Sequence, residues 1–216
     1  MQNRIKSGFN ELDKILMSFE PGKLYLIAGR PGMGKTSLML DLVLNIAQQT
    51  PVHIFSLESS TEYLLKRLSK KTESIDNLPI YIYDNCLGID KITKKIETNV
   101  KDGIIFIDYL QLIKVENDAV TALKNLAMQS NLPIVVLSQL NRSADERGQK
   151  GLPPTFENIG IHNSQEIDTF IFLYRKAYYN HDECDNEAEL TVVKKMIGNV
   201  GNAVIRFDEK AGTFFE

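Results

Sequence analysis

The chain has 216 residues, 43% apolar and 25% charged, close to the average of globular proteins, which excludes a disordered or collagen-like polymer. Its 25 Lys+Arg against 28 Asp+Glu leave a net charge of −3, whereas a free-standing nucleic-acid binder is more often basic, so any nucleic-acid contact must come from a local patch or from several subunits lining one surface. No apolar run approaches the ~18–20 residues of a membrane span, the first residues lack a secretory stretch, and two cysteines, Cys86 and Cys184, cannot build a disulfide scaffold, so a reducing cytoplasm is the expected compartment.

Strand-like and helix-like patterns alternate along the chain, punctuated by Gly and Pro. Residues 8–16 (GFNELDKIL) predict a short helix and Pro21-Gly22 a turn. Leu24–Ala28 is an apolar strand, Gly29–Gly34 a glycine-rich loop, and Lys35–Gln48 a helix with Leu38, Leu42 and Ile46 on one stripe. Val52–Leu57 reads as a second strand. Ser59 then opens a helix, with Glu62 completing a capping box. Ile80–Tyr83 is a short strand, and Asp90 caps a helix running to Val100. Gly103–Ile107 is a strand apolar on both faces. Ala119–Gln129 is a helix, followed by the strand Ile134–Ser138.

Residues 141–165 are polar and loop-like, and Thr169–Tyr174 is another strand. After an acidic loop, Asp182–Glu189, the segments Leu190–Val193, Ala203–Phe207 and Thr213–Phe215 read as antiparallel edge strands. Repeated strand–helix units with continuously apolar strands imply a mostly parallel sheet covered by helices on both faces. With no repeat or linker, one α/β domain over 1–216 is the expectation.

Gly29-Arg30-Pro31-Gly32-Met33-Gly34-Lys35-Thr36, followed by Ser37, fits the phosphate-loop pattern GxxxxGK[ST]. Its glycines let backbone N–H groups turn inward around a phosphate where a Cβ would clash. The helix beginning at Lys35 aims its positive dipole end at the same anion. Lys35 reaches the outer phosphates, and the Thr36 hydroxyl is a Mg²⁺ ligand. ATP and Mg²⁺ are therefore the expected cofactors. The loop also sits between an apolar strand and an amphipathic helix, the context the pattern requires.

Three strand ends supply partners for that loop. Ile104–Ile107 leads into Asp108, a carboxylate at the crevice where α/β sheets bind ligands, suited to holding Mg²⁺ directly or through water. Glu58 follows Phe55-Ser56-Leu57 and can polarise a water aimed at the γ-phosphate; on spacing alone it fits equally well as part of the next helix's first turn. Gln139 follows Ile134–Ser138 and can sense the γ-phosphate, although spacing alone favours a surface Gln.

Taken together, Ser7–Asp13, GRPGMGKT at 29–36, Ile54–Glu58, Pro79–Ile82, Ile107-Asp108-Tyr109-Leu110-Gln111-Leu112, Leu137-Ser138-Gln139-Leu140-Asn141-Arg142-Ser143 and Tyr174-Arg175 resemble, in order, the RecA-like ATPase domain of DnaB-type replicative helicases. IDYLQL and LSQLNRS are the segments most specific to that group. The resemblance implies a RecA-like phosphate-loop NTPase with Glu58 as catalytic glutamate, Asp108 as the Mg²⁺ aspartate and Gln139 as a sensor. It also implies a six-subunit homo-oligomeric ring with ATP between subunits, single-stranded DNA in its channel, and other replication proteins as partners.

Several features depart from that family. The phosphate loop begins at residue 29, leaving no room ahead of it for the helicases' amino-terminal domain and linker helix, and the stretches from Glu58 to Pro79 and from Leu112 to Ala119 are shorter than in the family. Where family members carry Lys-x-Arg-x-Gly, whose arginine reaches a neighbour's γ-phosphate, this chain has Lys194-Lys195-Met196-Ile197-Gly198. Such an arginine is worth ~10³–10⁵ in turnover in related phosphoryl-transfer enzymes, and a lysine point charge replaces its fork poorly. Lys194 is the trans-acting candidate that remains. In the DNA loop, Glu157 stands where the family has arginine, leaving Arg142, Arg147 and Lys150 as the candidates for phosphate contacts.

These departures keep two alternatives open: a weakly hydrolysing nucleotide-binding module that regulates a helicase, and a RadA- or KaiC-like ATPase. Other groups read as structural. His181 and Cys184, in an acidic stretch, match no zinc spacing, and His53 lies within a strand. Lys66, Arg67, Lys70 and Lys71 crowd a helix end, where the dipole favours cations.

Overall fold

The computed structural model describes residues 4–116, 118–180, 186–194 and 198–216. The expected α/β architecture is present. Among the described residues, nine strands form one sheet: β1 (Leu24–Gly29), β2 (Val52–Ser56), β3 (Ile80–Tyr83), β4 (Ile104–Asp108), β5 (Ile134–Gln139), β6 (Thr169–Tyr174), β7 (Glu187–Lys194), β8 (Gly198–Asp208) and β9 (Thr213–Phe215). Their order is β3-β2-β4-β5-β1-β6-β7-β8-β9. The first six in that order pair in parallel, and the last three join antiparallel.

The continuous apolar strands follow from burial on both faces. In β4, Ile104 and Phe106 point into one core while Ile105 and Ile107 point into the other. The first core is closed by α1 (Asn10–Leu16), α2 (Lys35–Ala47), α3 (Thr61–Ser69) and the apolar face of β7–β9. The second is closed by α4 (Ile89–Asn99), α5 (Ala119–Ser130) and the start of α6 (Ser143–Gln149). Asp13 on α1 accepts from the Ser7 and Gly8 amides at 2.8 and 3.2 Å, which ties down the entry to the fold. His53 is buried in β2, stacked on Tyr81 with ring centroids 5.0 Å apart; burial holds its pKa below the ordinary value.

Several local expectations are corrected. The cap of α3 is Ser60, whose hydroxyl accepts from the Tyr63 amide at 3.3 Å. Ser59 is instead folded back on Ser56, its carbonyl accepting from the Ser56 hydroxyl at 2.6 Å. Gly88, not Asp90, is the N-cap of α4, and Asp90 lies inside its first turn. The stretch 141–165 is not a plain loop: it holds α6, a short 3₁₀ turn at Phe156–Asn158 and the start of another at Ser164–Glu166. β7 begins at Glu187, inside the expected acidic loop, because Ala188 and Leu190 face the core while Glu187 and Glu189 take the alternate positions. His181, Cys184, Lys195 and Met196 lie outside the described residues.

Candidate active site

The C-terminal ends of β1, β4, β2 and β5 meet at one cleft. It is lined by Pro31, Gly32, Gly34, Lys35, Thr36, Ser37, Glu58, Arg67, Asp108, Tyr109 and Gln139. Sequence segments separated by up to roughly a hundred residues converge there because β1 lies two strands from β4 and next to β5. The loop itself needs its glycines. Gly34 has φ +103°, which strains any L side chain, and a Cβ on it would lie 3.0 Å from the Phe214 ring, which would have to give way.

Lys35 heads α2, and its ammonium donates to the Gly29 carbonyl at 2.8 Å and the Arg30 carbonyl at 3.1 Å. Burial lowers its pKa to about 8, opposed by Asp108 and Glu58. The Thr36 hydroxyl donates to Asp108 Oδ2 at 2.9 Å. Burial pushes the Asp108 carboxyl above the usual carboxylate range, with the Thr36 bond acting against it. A buried carboxylate beside a hydroxyl is an oxygen pair of the kind that suits a hard divalent cation. Among the described residues, no cluster of three or more His, Cys, Asp or Glu offers a metal site elsewhere.

Glu58 stands exposed at the mouth of the cleft. The Ser56–Ser59 hydrogen bonds close a tight bend after β2, and the Leu57 amide donates to the Asp108 carbonyl at 2.7 Å. Together they turn Glu58 outward, before α3 begins, so it is not part of the helix's first turn. Gln139 closes β5 opposite Gly29. Its main chain is held by Gln111, whose side-chain amide donates to the Ser138 hydroxyl at 2.9 Å and to the Gln139 carbonyl at 3.1 Å. That contact joins the IDYLQL and LSQLNRS segments physically.

Other expected residues lie apart from the cleft. Arg30 turns its guanidinium to Asp145 and Leu140, and Met33 is buried in the core. Lys194, half-buried, pairs in register with Thr169 at the start of β6, the end of the sheet away from the cleft, and donates to the Leu16 carbonyl at 3.4 Å. Arg142 and Lys150 are exposed at the two ends of α6, whereas Arg147 is partly buried and donates to the Pro153 carbonyl at 3.0 Å. Glu157 is exposed in the same segment.

Two residues of the basic cluster have roles beyond the helix end. Arg67 reaches the cleft and donates to the Ser37 hydroxyl at 2.7 Å, and Lys71 forms a buried ion pair with Asp41. The signal for both was present in the helical spacing, since 64, 67, 68 and 71 fall on one face and Leu64 and Leu68 are core residues.

Comparison with known proteins places the family and the fold. The DnaB-like helicase C-terminal domain family matches residues 4–81 and 65–216. The replicative DNA helicase DnaB of Geobacillus stearothermophilus is 32% identical over 255 aligned residues, which take in 97% of this chain and 56% of that protein. The chain therefore spans just over half the length of that relative. One solved ATPase domain superposes with a TM-score of 0.88 at 27% identity, covering 98% of this chain and 90% of that one. A structure of a DnaB-like replicative helicase and its interactions with primase gives a TM-score of 0.87 at 28% identity, covering 98% of this chain and 61% of that one.

Proposed function

The chain belongs to the DnaB-like helicase C-terminal domain family, and from that premise we propose that it is an ATP-hydrolysing motor domain acting on single-stranded DNA in replication. The observation that carries this reading is the cleft in which Lys35, Thr36, Asp108, Glu58 and Gln139 face one phosphate loop. The loop amides and Lys35 bind the β- and γ-phosphates. Thr36 and Asp108 hold Mg²⁺, which supplies charge neutralisation at the phosphates when bound. Glu58 orients a water in line with the γ-phosphorus and accepts its proton as the bond to the ADP leaving oxygen breaks. Arg67, hydrogen-bonded to Ser37, adds positive charge beside the same phosphates.

The rest of the proposal concerns assembly. A homo-oligomeric ring, six-membered by family resemblance, sets Lys194 of one subunit toward the nucleotide of the next, in keeping with its distance from its own cleft. Arg142 and Lys150, exposed around α6, face DNA phosphates. The compartment is cytoplasmic, and a primase is a fitting partner; among the described residues no helix is long and apolar enough to cross a membrane.

The test is calorimetric uptake of Mg·ATP, followed by ATP turnover with and without single-stranded DNA. Uptake and DNA-stimulated turnover are expected, and a chain that takes up neither Mg·ATP nor Mg·ADP at millimolar levels overturns the reading. A second reading is a nucleotide-binding regulator that hydrolyses slowly, favoured by Met196 at the place of the family's trans-acting arginine. Nucleotide uptake without measurable turnover in the assembled protein selects it.

A further inference from the structure

Arg30 is the second residue of the phosphate loop, yet its side chain leaves the loop. Its Nε donates to Asp145 Oδ1 at 2.8 Å and its Nη2 lies 2.7 Å from Asp145 Oδ2, a two-pronged contact. Its Nη1 donates to the Leu140 carbonyl at 2.8 Å. The guanidinium is largely shielded, with 17% of the side chain exposed. Such a fork fixes both distance and orientation, which a single hydrogen bond does not.

Asp145 belongs to α6, the helix flanked by the exposed cations Arg142 and Lys150. Further contacts hold the same helix. The Tyr179 hydroxyl donates to Asp145 Oδ1 at 3.1 Å, and the Tyr174 hydroxyl donates to the Gly148 carbonyl at 3.3 Å. Leu140 is bracketed: its amide donates to the Gly29 carbonyl at 3.3 Å while its carbonyl accepts from Arg30. Gly29 and Arg30 are also the residues whose carbonyls hold the Lys35 ammonium. One short chain of hydrogen bonds thus runs from Lys35 through Arg30 to α6.

We propose that Arg30 and Asp145 form a latch that transmits nucleotide occupancy of the phosphate loop to α6, and so to the cations it carries. This rests on the nucleotide-binding reading given above. A phosphate competes for the Lys35 ammonium. The Gly29 carbonyl then accepts from the Leu140 amide alone, that long hydrogen bond shortens, and the junction between loop and β5 tightens. Arg30 carries the change to α6 because its fork is rigid. Arg30 and Asp145 are positioning residues here, acting through the segment they join. The coupling needs a change in the relative free energy of two arrangements, not contact between the ligands themselves.

The experiment is amide hydrogen exchange over residues 143–149, alone and with saturating Mg·ADP or a non-hydrolysable Mg·ATP analogue, with nucleotide uptake followed in parallel by calorimetry. In the parent chain nucleotide slows exchange in α6 by about tenfold, as expected when the contacts that hold the helix tighten by about the worth of one hydrogen bond against local opening. In Asp145→Asn the response falls below about twofold while nucleotide affinity stays within a few-fold. Asp145→Glu restores it, a rescue that loss of general helix stability would not produce. An undiminished response in Asp145→Asn, or a parent that takes up nucleotide with no change in α6, overturns the latch and leaves the motor reading standing. A parent that takes up no nucleotide overturns both.

Discussion

Replacing Glu58 by Gln lowers ATP turnover by about 10²–10⁴-fold, the range usual for loss of a positioned general base, and leaves Mg·ATP affinity within a few-fold of the parent. Glutamine keeps the size and a hydrogen-bonding oxygen but cannot accept the proton of the attacking water. Binding survives because Glu58 is not part of the phosphate cradle: it stands exposed at the cleft mouth, set there by the Ser56–Ser59 bend. Its charge also opposes an incoming triphosphate, since it lies close enough to influence both Lys35 and Asp108. Removing that charge favours anion binding slightly. Phosphate release and calorimetry on the same preparation separate the two effects. Turnover equal to the parent's would mean that the water is activated by another group, and Glu58 would lose its assigned role.

What sequence makes legible here, and what it hides, divides along physical lines. The central strands announce themselves because burial on both faces leaves an unbroken apolar run, as in Ile104–Ile107. The phosphate loop announces itself because positive φ at Gly34 and close approach to Phe214 strongly favour glycine there. α6 is hidden for the opposite reason. Its sequence, SADERGQ, buries little beyond Ala144 and Gly148 and has no apolar stripe. Its order comes from contacts distant in sequence, to Arg30, Tyr174 and Tyr179. Gln111 is hidden in the same way: within IDYLQL it reads as one polar residue among apolar ones, and its partners Ser138 and Gln139 are 27 and 28 residues away. Asp41 lies between these cases. An aspartate between Leu40 and Leu42 on an apolar helix signals a buried charge, but nothing local names the cation that answers it.

That cation is Lys71, and replacing it with Met destabilises the fold by about 3–5 kcal/mol, the cost of leaving a buried charge unpaired. The ammonium is fully used: it meets Asp41 Oδ1 at 2.7 Å, the Gly212 carbonyl at 2.8 Å and the Thr213 hydroxyl at 2.7 Å. Asp41 Oδ2 accepts from the Phe214 amide at 2.7 Å. Both side chains are 7% exposed, so water cannot take over either role. The pair therefore ties α2, the end of α3 and the turn into β9 together. Urea unfolding at neutral pH measures the loss, and a fall in Tm of about 10 °C accompanies it for a chain of this size. The pH dependence has a definite sign. Burial already raises the Asp41 carboxyl above its ordinary range, and loss of Lys71 raises it further. A folded-state carboxyl pKa above the unfolded one means that the penalty is largest when the group is ionised in both states. The deficit of Lys71→Met relative to the parent therefore narrows as pH falls through that raised pKa. Replacing both partners, Asp41→Leu with Lys71→Met, recovers most of the stability, because a buried ion pair exchanged for apolar groups is often nearly neutral. A single Lys71→Met variant as stable as the parent, or one whose deficit grows in acid, would show that the pair does not carry this junction.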